Sequence, residues 1–163
     1  MGVDFYAVKR GRRAENIYHG GYGGYHAIRG YLLSCFNTTL ACGFFKVRCF
    51  RTSQEEEMLH DIRPYVPEPA WTLFCSSDCD GEWSNEEVRG IVAAVKESEG
   101  FKNPDKVKNE IADIQQRAKR LNFNAPDYYL CGFQHVPSWK DKAHRFIADL
   151  DRVAQKGCRV YWC

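Results

Sequence analysis

Alternation of apolar and polar side chains marks the first element: Val3-Asp4-Phe5-Tyr6-Ala7-Val8, with β-branched and aromatic members, predicts a core strand close to the N-terminus. Ile28, Leu32, Cys35 and Phe36 then recur at helical spacing and predict a helix. Phe44 to Phe50 alternates apolar with basic residues and predicts a strand, after which Glu55, Glu56 and Glu57 open a short helix that Pro64, Pro67 and Pro69 end. The apolar run Trp71-Thr72-Leu73-Phe74-Cys75, bounded by prolines and a polar turn, reads as a second core strand.

Beyond residue 84 the period is helical. Val88, Ile91, Val92 and Val95 form one stripe after Ser84, and Val107, Ile111, Ile114, Ala118 and Leu121 form another after the cap Asn103-Pro104. Ser138 caps a third helix with Ala143, Phe146, Ile147, Leu150, Val153 and Ala154 inward, stopped by Gly157; Cys158 to Trp162 reads as a final strand. Strands near both termini and helices between them predict an α+β or α/β fold. Its small central sheet includes the N- and C-terminal strands, covered by three to five helices in a single domain over residues 1–163.

Composition fits that picture: of 163 residues, 44% are apolar and 14% aromatic, enough for one sizeable core. The densest apolar stretch, Tyr31 to Phe36, falls far short of the roughly 20 residues that cross a bilayer, so no membrane partner is expected. The start lacks the basic and apolar regions of a signal peptide, and Tyr6 stands where a myristoylation signal wants Ser or Thr; a cytoplasmic location follows as an expectation. Eight cysteines therefore read as reduced, buried thiols, and with no CxxC pair they make a poor zinc site.

The formal net charge is only +2, but it is unevenly spread. Residues 1–54 carry eight basic and two acidic side chains, residues 55–99 three and twelve, and residues 100–163 twelve and seven. An acidic middle between basic ends either neutralises itself internally or leaves one surface of each sign, and the near balance makes duplex nucleic acid an unlikely partner.

Candidate chemistry concentrates in Ser76-Ser77-Asp78-Cys79-Asp80-Gly81-Glu82-Trp83-Ser84-Asn85-Glu86-Glu87, which resembles the twelve-residue calcium loop of the EF-hand family. The resemblance implies Ser76, Asp78, Asp80, Glu82 (through its carbonyl), Ser84 and Glu87 as ligands of Ca2+ or Mg2+, with Gly81 at the sharp turn. Ser76 replaces the usual first Asp, and the entering element reads as a strand, so the implied site is a lone, weakened loop. The opening Met1 to Tyr6 together with Ser77 to Glu82 also resembles a pattern in small uncharacterised proteins, and this implies no activity. The same segment is equally a metal-free turn: Ser84 and Glu87 match a capping box, and Asp78 and Asp80 can form an Asx-turn around Gly81. A third alternative has Asp78 and Asp80 sharing a cation that activates water, with His26 or His135 recruited from a distance.

A second, weaker signal is the basic, glycine- and tyrosine-rich segment 10–26. Arg10, Arg12 and Arg13 precede Gly21, Tyr22, Gly23 and Tyr25, an arrangement in which backbone amides approach a phosphate while tyrosines stack on a base. It has neither the P-loop lysine nor dinucleotide glycine spacing, and its alternative is a loop whose tyrosines pack on the core. Arg117, Lys119 and Arg120 read as a solvated helix face. Three readings follow: a non-catalytic cation-binding protein, a protein that binds, sequesters or hydrolyses a small phosphate-bearing ligand such as a nucleotide, and an acidic surface that docks a basic protein partner.

Overall fold

The computed structural model describes residues 2–39, 41, 63–76, 80–120 and 135–163. Strands β1 (Gly2–Lys9) and β2 (Arg12–Gly21) form a hairpin, and helix α1 (Tyr22–Phe36) follows directly. Then come α2 (Glu68–Cys75), the three-residue β3 (Gly81–Trp83), α3 (Asn85–Glu97), the single turn α4 (Glu99–Lys102), α5 (Pro104–Arg120), α6 (Lys140–Gln155) and β4 (Arg159–Trp162). The expected strand at 44–50, the short helix at 55–57 and Leu121 lie outside the described residues.

The fold is α+β, with a four-stranded sheet in the order β2-β1-β4-β3 and every pairing antiparallel. The two terminal strands occupy the centre side by side, pairing Phe5 with Trp162, Tyr6 with Tyr161, Ala7 with Val160 and Val8 with Arg159. That register puts Val3, Phe5, Ala7, Val160 and Trp162 on one face, all buried. Phe5 sits at the middle of the core, its ring 4.7 Å from Tyr25 on α1, 5.5 Å from Phe146 on α6, and 5.3 Å from Trp162 in a stacked arrangement. Gly81 lies against this cluster, and a Cβ there would run into the Trp162 ring.

Three sequence expectations need correction. Trp71 to Cys75 is not a strand but the end of α2; Pro69 in its first turn supplies a backbone angle suited to a helix start, and Ala70, Leu73 and Phe74 bury one face at i, i+3, i+4. A five-residue apolar run carries no period of its own, so the proline decides. The segment 9–26 is not a loop: Arg12 to Gly21 is strand and Tyr22 to His26 is helix. Only Arg10 and Gly11 turn, both with positive φ (50° and 75°), which suits a two-residue hairpin connection to the sheet's twist. Ser138 does not cap α6 but donates to the His135 carbonyl inside a short 3-10 turn, Val136–Trp139.

The other helix ends follow their signals. Ser84 and Glu87 form a reciprocal capping box on α3, α5 begins at Pro104, and Gly157 at φ 72° closes α6 with Cys158 N–H donating to the Val153 carbonyl at 3.1 Å. Across the layers Glu15 of β2 accepts from Lys156 at 3.1 Å and from Arg152, tying the hairpin to the end of α6. Among the described residues, no helix is long and apolar enough to cross a membrane.

Candidate functional site

The calcium-like loop is entered by helix α2 and left by helix α3, so the expected strand entry is corrected to a helix–loop–helix frame. Inside it Ser76, Glu82, Ser84 and Glu87 have internal partners. Ser76 Oγ donates to the Thr72 carbonyl at 2.5 Å and accepts from the Trp83 indole at 3.0 Å, which pins the start of the loop to the core. Glu82 accepts from Arg159 at 2.7 Å. Glu87 accepts from the Ser84 amide at 2.7 Å while Ser84 Oγ accepts from the Glu87 amide at 3.2 Å. Asp80 is exposed, and Asp78 lies outside the described residues. Arg29, buried on α1, donates to the Ser76 carbonyl at 3.2 Å and places a cation beneath the loop's first residue. Among the described residues no group of three or more His, Cys, Asp or Glu side chains converges.

The glycine–tyrosine segment is used mostly for packing. Tyr25 is fully buried against Phe5, so its ring is unavailable to a ligand. A Cβ at Gly24 would lie 2.6 Å from the Tyr18 hydroxyl and one at Gly20 would collide with it, so these glycines make room for Tyr18. Gly21 is the N-cap residue of α1, Tyr22 is half-buried, and His26 is buried. Arg10, Arg12 and Arg13 remain exposed around the hairpin tip, with Lys9 beside them.

Among the described acidic residues of the segment 55–99, four are in ion pairs within the fold. Glu68 pairs with Arg63 at 2.8 Å, Glu97 with Lys102 at 2.6 Å, Glu99 with Lys106 at 2.5 Å and Glu82 with Arg159. A cleft of about 410 Å³ lies between the end of α1 and α5, and among the side chains lining it Thr38 donates to Glu110 at 2.5 Å and Arg117 pairs with Asp113.

What the fold presents outward is the second face of the sheet. Outward positions on β1 are Asp4, Tyr6 and Val8, and the register sets them beside His19, Asn16 and Arg13 of β2. On the other side β4 contributes Arg159 and Tyr161 opposite Val8 and Tyr6, and β3 adds Glu82 opposite Tyr161. The result is a grid of three rows. Arg13, Val8 and Arg159 make the row nearer the hairpin tip; Asn16, Tyr6, Tyr161 and Glu82 make the middle row; His19 and Asp4 make the third. None of these side chains is fully buried. Tyr6 and Tyr161 lie with ring centroids 5.3 Å apart. Arg13 spreads its guanidinium over the Tyr6 ring at 4.4 Å and is held by Asn16 Oδ1 at 2.5 Å. Burial, followed by the neighbouring Cys163 thiol, pushes the Tyr6 hydroxyl above its ordinary value, so it stays a neutral donor at neutral pH.

Tyr6, Tyr161 and Arg159 are not among the candidates that the sequence singles out. The signal was present: strict alternation puts Tyr6 in the outward phase of its strand and Arg159 and Tyr161 in the outward phase of theirs. Their meeting depends on β1 pairing with β4, which alternation alone does not give. The chain matches no protein-family model, no curated protein and no solved structure.

Proposed function

We propose that this protein is a non-catalytic binding protein for a nucleotide-bearing ligand, held on the open face of its sheet. The observation that carries the reading is the pair Tyr6 and Tyr161 one row from Arg13 and Arg159. Aromatic rings offer a stacking surface to a base, and the guanidinium groups suit the phosphate joined to that base through its sugar: Arg159 stands two residues along β4 from Tyr161, about 6.6 Å, and Arg13 lies 4.4 Å from the Tyr6 centroid. The reading keeps the phosphate-bearing ligand expected from Arg10, Arg12 and Arg13 but moves the aromatic contacts from Tyr22 and Tyr25 to the sheet. A calorimetric titration with purine and pyrimidine mononucleotides tests it. Binding that Tyr6→Leu or Tyr161→Leu weakens supports it; binding unaffected by both, or no binding of any nucleotide, contradicts it.

A second reading, Ca2+ or Mg2+ at residues 76–87, is supported by one observation, the helix on each side of the loop with the short β3 inside it. Its test is a thermal melt in millimolar calcium, magnesium or chelator, where an Asp80-dependent rise in the midpoint supports it and coincident curves contradict it.

A further inference from the structure

The sheet face carries two tyrosines and two arginines: Tyr6 under the Arg13 guanidinium, and Tyr161 two residues along β4 from Arg159, which pairs with Glu82. We infer that its ligand is a single-stranded nucleic acid running across the strands, with consecutive bases on Tyr6 and Tyr161 and their phosphates on the arginine row. This deepens the nucleotide reading and rests on it.

Three features favour a strand over a mononucleotide. First, one nucleotide engages one ring and leaves the other idle; Tyr6 and Tyr161 are register partners on neighbouring strands, about 4.8 Å apart, while Arg13 and Arg159 stand two strands apart with Val8 between them and suit two different phosphates. Second, with Arg10 exposed at the hairpin tip beyond Arg13 and Arg159, there are more cationic groups than one phosphate requires; Lys9 and Arg12 fall in the opposite phase of their strands, and Lys9 donates to the Lys156 carbonyl at 2.6 Å. Third, both tyrosines are part-exposed side chains, within reach of splayed bases; a duplex keeps its bases stacked on each other and offers these tyrosines only its backbone. A base reaching Tyr6 takes the place of the Arg13 guanidinium, which then turns to the phosphate. At the far edge Glu82 occupies Arg159, and the strand competes with that carboxylate.

The test is fluorescence anisotropy on the full chain with labelled uridine and thymidine decamers, unlabelled mononucleotide as competitor, and a hybridised decamer duplex as control. The expected result is a decamer at least about 100-fold tighter than mononucleotide, tighter than duplex, and weakened on the order of 10-fold by Tyr6→Leu or Tyr161→Leu. Thermal melts of both variants establish that they are folded. A decamer no tighter than mononucleotide overturns the inference while leaving the nucleotide reading standing. Absence of binding by decamer and mononucleotide alike, or equal binding of duplex and strand with no effect of either tyrosine, overturns both.

Discussion

Tyr6 and Tyr161 face each other across the two central strands, ring centroids 5.3 Å apart and planes inclined by 46°, on the side of the sheet opposite the core. The first and last strands of the chain thus join in one surface, with Arg13 and Arg159 in the adjacent row.

Glu82 tunes that surface. Its carboxylate holds Arg159 at 2.7 Å with both side chains about half exposed, so the pair contributes little to stability, about 0–1 kcal/mol. Glu82→Gln removes the competing charge and is expected to tighten oligonucleotide binding several-fold with an unchanged melting midpoint. Anisotropy and a melt on the same sample check both halves.

Gly81 is required by packing. An alanine there would place its Cβ inside the Trp162 ring, so Gly81→Ala is expected to cost about 1–3 kcal/mol and lower the melting temperature by several degrees. Calorimetry in the presence and absence of calcium separates this packing loss from loss of an ion.

Thiol reactivity reports the layers. Burial pushes Cys35 up to about 12, despite the Tyr31 contact that pulls it down, and Cys158 is also buried, whereas Cys75 and Cys163 are exposed. Alkylation of the native protein followed by peptide mapping is expected to modify Cys163 and Cys75 and to spare Cys35 and Cys158 until the chain unfolds. A bound decamer should protect Cys163, which pairs with Asp4 at the edge of the platform, and leave Cys75 reactive.

Acid should destabilise the fold in two stages. His144 stacks on Phe101 at 4.0 Å, and burial, then the Lys140 charge, holds its pKa below the ordinary 6.5. A depressed folded value means stability is full above the unfolded pKa and declines as pH falls below it. Burial, the largest single influence on Glu15, raises it, but Lys156 and Arg152 together hold it below its ordinary value, and Asp151 is held low by Lys96, so both contributions are present above the ordinary carboxylate values of 4.5 and 3.8 and are lost as pH falls below them. Melts at successive pH values should show a decline starting near pH 6.5 that His144→Phe abolishes, and a second near pH 4 that Glu15→Gln reduces.

Much of the helical layer was legible because its stripes are long and its caps explicit: Val88, Ile91, Val92 and Val95 behind Ser84, and Phe146, Ile147, Leu150 and Val153 before Gly157. The hairpin's second strand was not, since register shifts between Phe5 and Tyr6 and between Ala7 and Val8 break the alternation of its partner Arg12 to Gly21. The candidate site was half legible. The arginines announced themselves by charge and the acidic loop by its spacing. The tyrosine pair, however, is made by contact between residues 155 positions apart, and no local pattern encodes strand order.

The sharpest check is photochemical. A decamer carrying photoreactive bases, irradiated on the native protein and analysed by peptide mass spectrometry, should leave its adducts on the β1 and β4 peptides containing Tyr6 and Tyr161. Adducts confined to other segments, with both of those peptides unmodified at saturating oligonucleotide, would contradict the platform.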